Sequence, residues 1–530
     1  MTPFFALMLV CPAVAASPED DVVVALARQF SLDQGLDTFG GLVPDSRWKT
    51  AYSLGRCAPV PVSATPARKP RGARAATPAQ LGHAPNAVPK PPPLTAFPAH
   101  LAAALSVECA RDPGSWSPRY SLRPVATVSV GDATPDNLSG DTEPGLLSVR
   151  AGGRAAVYSG PFVLRATANG GIDAIPDAAP AYSVPELWLG ADTGSWWLGA
   201  GRQDRWMGPG RGATLLLSNN AIAPWMANGG LDGHLPGAAS KIGRFRAEVG
   251  VGVLAEPRTD VDEPGIMLMD FRYLPVPEFE ICLSRASIFG GEGRPDVDVG
   301  QLLIPSEPHV YDDPDQELPD QDELAALSFR VNLPLRKRWR LPIDHVSGWW
   351  EYGGEDMVAR DFGGVPYPTL AGIANLYGGE IHVRPITFTA EYAKLMDDYF
   401  RWYVGHRVYH EGFQQSDRVM GHFGGSDSET VWAQLAFDLP SSRVRAWGDR
   451  TRRVFVLETR NERVFALPTE EVRLRVGAAV DLAWKAAWWS AAYTGASTTG
   501  RNFVASDDVV EHRFVLGMSL GPELSGARSR

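Results

Sequence analysis

Arg244-Phe245-Arg246-Ala247-Glu248-Val249-Gly250-Val251-Gly252-Val253 is the stretch that decides the fold. Phe245, Ala247, Val249, Val251 and Val253 are apolar, and the residues between them, Arg244, Arg246, Glu248, Gly250 and Gly252, are charged or lack a side chain. Successive side chains of a strand point to opposite faces of a sheet, so a period of two puts each set on its own face. A polar face that mixes charges with glycines suits a crowded, hydrated interior.

The same pattern recurs along the chain. Met267, Met269, Phe271 and Tyr273 oppose Asp270 and Arg272; Phe279, Ile281 and Leu283 oppose Glu278, Glu280 and Ser284. Leu327, Phe329, Val331 and Leu333 oppose Arg330 and Asn332, and Val472, Leu474, Val476 and Val480 oppose Arg473 and Arg475. Phe514, Leu516, Met518 and Leu520 oppose Arg513 and Ser519 near the end. A soluble β-sandwich also alternates. Three further features favour a transmembrane barrel: long polar or aromatic loops between the runs, an amino-terminal export signal, and no later apolar stretch of the roughly 18 residues a spanning helix needs. The expected fold is all-β, an antiparallel barrel over residues 119–521, and about 20–25 residues per strand and connection gives about 16–20 strands.

The rest of the chain reads as accessory. Residues 1–16 form a signal peptide, with an apolar run from Phe4 to Val10 and the small-x-small site Ala13-Val14-Ala15. Cys11 does not make a lipobox, because Leu9-Val10 places bulk where a small residue belongs. Residues 17–118 are expected to be a small helical periplasmic region. Glu19-Asp20-Asp21 would charge the first turn of a helix over Pro18 to Ser31, and Ala99 to Ala110 would form a second. Between them, 59–98 is a Pro-, Ala- and Arg-rich linker that cannot bury a core. Cys57 and Cys109 flank this linker in an oxidising compartment and are expected to form a disulfide, leaving Cys282 over. Residues 522–530 are a tail. A net charge of −11 argues against nucleic acid as a partner.

Three blocks of sequence carry more specific words. Gly201 through Gly210, containing Arg205-Trp206-Met207-Gly208-Pro209-Gly210, leads into Leu217-Ser218-Asn219-Asn220-Ala221. Met269 through Pro275 is followed by Leu283-Ser284-Arg285-Ala286 and Phe289 through Pro295, and Tyr409 through Phe413 by Gly421-His422 through Ser428. In words, order and spacing, from Tyr182 to the final strand, the chain resembles the Wzi family of capsule-assembly outer-membrane proteins. That resemblance implies a barrel of about 18 strands with a helical periplasmic start, located in the outer membrane and acting in attachment or export of capsule or exopolysaccharide.

The chemistry of the expected inward face is compatible with an acidic polymer. Arg244, Arg246, Arg272, Arg330, Arg473, Arg475 and Arg513 stand against Glu248, Asp270, Glu278 and Glu280. Guanidinium forks hold carboxylates and sulfates bidentately. The same residues would equally form an Arg–carboxylate ladder that braces the wall. Tryptophans stack on sugars and also seat barrels at the membrane interfaces; Trp206 and Trp225, bracketing the Asn219-Asn220 block, are the better sugar contacts. Arg205, His422 and Asp427 complete the candidate polysaccharide-binding set.

Catalytic readings are weaker. Gly208-Pro209-Gly210-Arg211-Gly212 lacks the Lys-Ser/Thr ending of a phosphate loop and is expected to be a turn. Gly425-Ser426-Asp427-Ser428 beside His422 is no nucleophile elbow. Glu351, Glu355 and Asp356 offer carboxylates at a spacing common in any loop. The protein is expected to be no enzyme and to need no cofactor or metal. Its expected partners are the cell-surface polysaccharide, outer-membrane lipid and lipopolysaccharide, and periplasmic polysaccharide-export proteins. A general porin for small solutes and a surface glycan-modifying enzyme are the alternatives.

Overall fold

The computed structural model describes the chain from residue 119 to residue 520, apart from loop segments of which the longest are 133–146, 174–180, 235–241, 298–320, 396–401 and 465–469. The signal 1–16, the helical region 17–118 with its linker 59–98, the pair Cys57 and Cys109, and the tail 522–530 lie outside the described residues.

Eighteen strands make one sheet in which each pairs antiparallel with the next. The last, Val509–Leu520, returns to pair with the first, Arg119–Gly131, bringing Leu516 opposite Val128. Closure leaves no row of unpaired amides and carbonyls, which is what allows a sheet to stand in hydrocarbon. The period of two sorts the side chains as expected. On the strand Arg244–Val253, Arg244 and Arg246 are buried inside while Val249, Val251 and Val253 are exposed. Leu435 and Leu474, 51% and 53% exposed, belong to the same outer apolar belt. Exposure of so many large apolar side chains around a closed barrel suits a lipid-facing surface.

Connections differ sharply between the two ends. The turns at 160–161, 277–278 and 384–385 are tight, whereas 203–224, 254–264 and 396–427 at the opposite end are long. Short turns face the periplasm in barrels of this kind, so the long loops face outward. One expected lumenal carboxylate is corrected here. Glu278 lies in the tight turn after Val276, where the chain has already left the wall, and pairs with the exposed Arg338 at 2.8 Å. The longest described periplasmic connection contains the short helix Leu335–Trp339, and it is tied down by Asp344, which accepts from Arg336 at 2.8 Å and Arg384 at 2.7 Å.

Leu435→Arg, placing a cation near the middle of the lipid face of Ser428–Leu439, should destabilise the folded barrel by about 2–4 kcal/mol. A urea titration read by heat-modifiable gel migration measures this, and an unchanged midpoint would contradict the lipid-facing assignment.

Candidate functional site: a loop plug beneath the outer surface

The outer loop 203–224 folds down into the barrel. Leu215, Leu216 and Thr214 are fully buried, and Trp206, Met207 and Leu217 nearly so. A loop buried this way takes its backbone amides out of water, and each needs a partner. Two carboxylates of the wall supply them. Glu351, on the strand His345–Glu355, accepts from Gly210 N at 3.2 Å and Leu215 N at 2.8 Å. Glu391, on Ile386–Leu395, accepts from Arg211 N at 2.5 Å, from Gly212 N at 2.8 Å and from Trp349 Nε1 at 3.1 Å.

The glycines of this stretch follow from that clasp. Gly208 has φ +143°, and a Cβ there would stand 2.4 Å from Glu351 Oε1. At Gly212 it would meet Glu391 Oε2 at 2.9 Å. Gly208-Pro209-Gly210-Arg211-Gly212 is therefore a loop whose amides are capped by carboxyl oxygens of the protein's own wall, and the expectation of a simple turn misses this. Arg211 completes the seat, with its guanidinium 5.0 Å from the Trp349 ring and 3.9 Å from Glu380.

The second outer loop, described from residue 402 to residue 427, lies on the first. Ser218 N donates to Met420 O at 2.8 Å, Ser218 Oγ to Gly421 O at 2.5 Å, and Asn220 Nδ2 to Val419 O at 2.9 Å. Arg418 returns two bonds to Asn220, and the Tyr403 hydroxyl donates to Leu215 O at 2.5 Å. Met207, Leu215, Leu216, Leu217, Trp402, Tyr403, Phe413 and Met420 then pack against inward-facing Leu268, Ile288, Leu324, Leu376 and Leu395 in one apolar cluster. The outer part of the lumen beside these strands thus holds a hydrophobic core.

The candidate residues separate into three places. Trp206, Asn220, His422 and Asp427 are buried in the plug. Trp206 Nε1 donates to Gly210 O at 3.1 Å, and His422 Nδ1 accepts from Gly424 N at 3.0 Å. Burial and the nearby Arg473 push the His422 imidazole down to a pKa of about 3, which keeps it neutral. Asn219 stands partly exposed beside them, and Trp225 points outward with Arg202 4.9 Å from its ring. The arginines, third, face carboxylates of the wall. Arg205 and Arg246 share Glu248 at 3.3 and 3.4 Å, Arg244 holds Asp232 at 2.8 Å, and Arg475 holds Asp449 at 2.7 Å. Arg272 bridges Asp270 at 2.6 Å and Glu280 at 3.5 Å, and Arg330 reaches Glu280 at 2.7 Å. Arg473 differs. Its buried Nε and Nη2 have no hydrogen-bond partner among the described residues.

Among the described residues no group of three or more His, Cys, Asp or Glu side chains could hold a metal ion. Cys282 is a buried free thiol beside Asp270 and Ser284. Glu351, weighed above as one of a hydrolytic pair, has both oxygens occupied by loop amides.

Against known families, residues 158–499 match the model described as capsule assembly protein Wzi. The chain belongs to that family. It is accordingly an outer-membrane β-barrel of capsule assembly and not an enzyme. Among solved structures, Wzi of Escherichia coli, described as an outer-membrane protein involved in group 1 capsule assembly and a carbohydrate-binding β-barrel, has the same fold. Its TM-score is 0.63 at 14% identity, with 97% of this chain and 99% of that one covered. OprD of Pseudomonas aeruginosa follows at TM-score 0.47 and 10% identity over 78% of this chain and 94% of its own. No curated protein sequence matches significantly.

Two outcomes are expected. Glu351→Ala leaves the Gly210 and Leu215 amides buried and unpaired, and each lost bond to a charged group costs about 1.5–3 kcal/mol. Since about 1.4 kcal/mol is tenfold, trypsin should cut after Arg205 and Arg211 at least about tenfold faster while the barrel keeps its folded migration; unchanged cleavage would refute the clasp. Acid should loosen the outer loops. Burial alone would raise the Asp260 carboxyl, but Arg258 and the amides of Val261 and Glu411 outweigh it and hold it below the ordinary 3.8. Its contribution is present above that value and lost as pH falls through the lower folded one. Protection of the 254–264 amides, the exchange rate divided into its intrinsic value at each pH, should therefore be flat from neutral pH to about 5 and fall below about 3.8, with Asp260→Asn showing the low protection throughout.

Proposed function

We propose that this protein holds cell-surface polysaccharide on the outer face of the outer membrane, acting in attachment and not as a conduit for export. One observation carries the reading: the apolar cluster that the loops 203–224 and 402–427 form against the inner wall in the outer part of the lumen. An acidic polymer passing through would have to displace this core and break the bonds from Glu351 and Glu391. The glycan contact then belongs to the outer loops, in line with the carbohydrate binding stated for the Escherichia coli relative.

In this reading the wall arginines Arg244, Arg246, Arg272, Arg330 and Arg475 are braces. Their charges are matched by wall carboxylates, and pulling either partner away would leave a buried ion uncompensated. Trp206, Asn220, His422 and Asp427 shape the loops and do not themselves touch sugar. Partners beyond the polysaccharide, lipid and lipopolysaccharide would be periplasmic export proteins that deliver the polymer by another route.

A deletion strain tests this when its polysaccharide is divided into cell-bound and released fractions. Attachment predicts a shift from bound to released with the total unchanged, restored by wild type and also by Arg244→Gln/Arg246→Gln where that variant assembles. Loss of the total, with polymer retained inside the cell, would mean export.

A further inference from the structure

The outermost part of the plug contains a cavity of about 220 Å³ between the loops 254–264 and 396–427. Leu254, Glu256, Pro257 and Arg258 line it from one loop, and Glu411, Gln414, Gln415 and Ser416 from the other. Its volume falls below the about 300–1,000 Å³ of pockets for drug-sized ligands, which is the scale of one sugar ring.

Gln415 makes the cavity chemically distinctive. Its residue is 2% exposed, yet neither Oε1 nor Nε2 has a hydrogen-bond partner among the described residues. Burying an amide with both ends unmet is unfavourable unless a ligand or water completes it. The short hairpin that carries it, Gln414–Gln415 with Arg418–Val419, cannot swing away, because Arg418 is bound to Asn220 of the plug.

The charges around Gln415 select among ligands. Arg258 is the one cation of the lining, and its guanidinium is already spent on Asp260, Gln414 O and Gly412 O. Glu256 meets Arg202 through Oε1, and Glu411 meets Thr259 through Oε1, so each carboxylate engages these partners with a single oxygen. An uronate carboxylate would be repelled there. Hydroxyl groups would not, since each donates to a carboxylate oxygen or the amide carbonyl and accepts from the amide N–H. Pro257, exposed at the rim, offers an apolar face to the C–H side of a ring.

From this we infer that the cavity is a subsite for one uncharged hexose unit of the polymer, with Gln415 reading its hydroxyls and Glu256 and Glu411 excluding acidic units. The inference rests on the attachment reading and adds to it where the glycan is held and which kind of sugar unit is taken. It reverses the expectation of an arginine site for acidic units.

The test uses the full-length protein in detergent, with saturation-transfer NMR for glucose, galactose and mannose against glucuronate and galacturonate. At least one neutral hexose should bind, at least about fivefold more tightly than its uronate. Gln415→Leu, close in volume and without the amide, should weaken it about tenfold or more, the loss of hydrogen bonds from a site built around them. Glu256→Gln, on the loop surface, should narrow the preference for the neutral sugar at least about threefold, and it stands as the second variant should Gln415→Leu fail to assemble. No binding by any neutral hexose, or equal binding by hexose and uronate, or no change in either assembled variant, overturns the subsite. Purified surface polysaccharide, measured in parallel, separates the two ideas: polymer bound equally by wild type and Gln415→Leu removes the subsite and keeps attachment, and polymer bound by neither removes attachment itself.

Discussion

Two carboxylates hold the outer half of this molecule in place. Glu351 and Glu391 stand on inward-facing positions of wall strands and take up four backbone amides of a loop that would otherwise carry them unpaired into a dry interior. Bonds to charged groups are worth about 1.5–3 kcal/mol each, and in a site from which water is excluded the alternative for each amide is no partner at all. With 203–224 seated, Leu215, Leu216 and Met207 become a surface on which 396–427 can pack, and that loop in turn fixes the hairpin bearing Gln415. Remove the clasp and both the seal and the outer surface lose their support.

Much of the barrel was legible in the sequence because one physical rule, lipid on one side and lumen on the other, repeats along every strand. Arg244–Val253 reads correctly residue by residue, and so does Val509–Leu520, whose Arg513 lies inside and Leu516 outside. Glu278 was misplaced, since alternation does not say where a strand ends and its turn begins. The words of the 201–221 and 421–428 blocks were rightly singled out, but sequence order could not say what they meet. Gly208 and Glu351, or Tyr403 and Leu215, lie far apart along the chain. The signal that was available was the inward set Leu268, Ile288, Leu324, Leu376 and Leu395: apolar residues at lumenal positions of several strands mean that something apolar fills the lumen.

In the arginine-rich interior, charge has to be counted together with its partners. Arg244, Arg246, Arg272, Arg330 and Arg475 are matched by Asp232, Glu248, Asp270, Glu280 and Asp449, some across strands and some two residues along the same strand. Buried ion pairs of this kind contribute little net stability compared with apolar packing, yet breaking one is costly. In a barrel they also serve a second end, filling a wide interior with side chains too polar to collapse. In the proposed reading recognition belongs to the outer loops, where a half-open cavity and an unmet amide offer what a matched wall does not.

Ion conductance in a planar bilayer tests the central claim, that the clasped loops seal the barrel, most directly. Wild type should be electrically silent, and Glu351→Ala combined with Glu391→Ala should open steady conductance, because the freed loop no longer has partners for its amides inside the lumen. Steady porin-like conductance from the wild type, or a silent double variant whose assembly is verified, would contradict it.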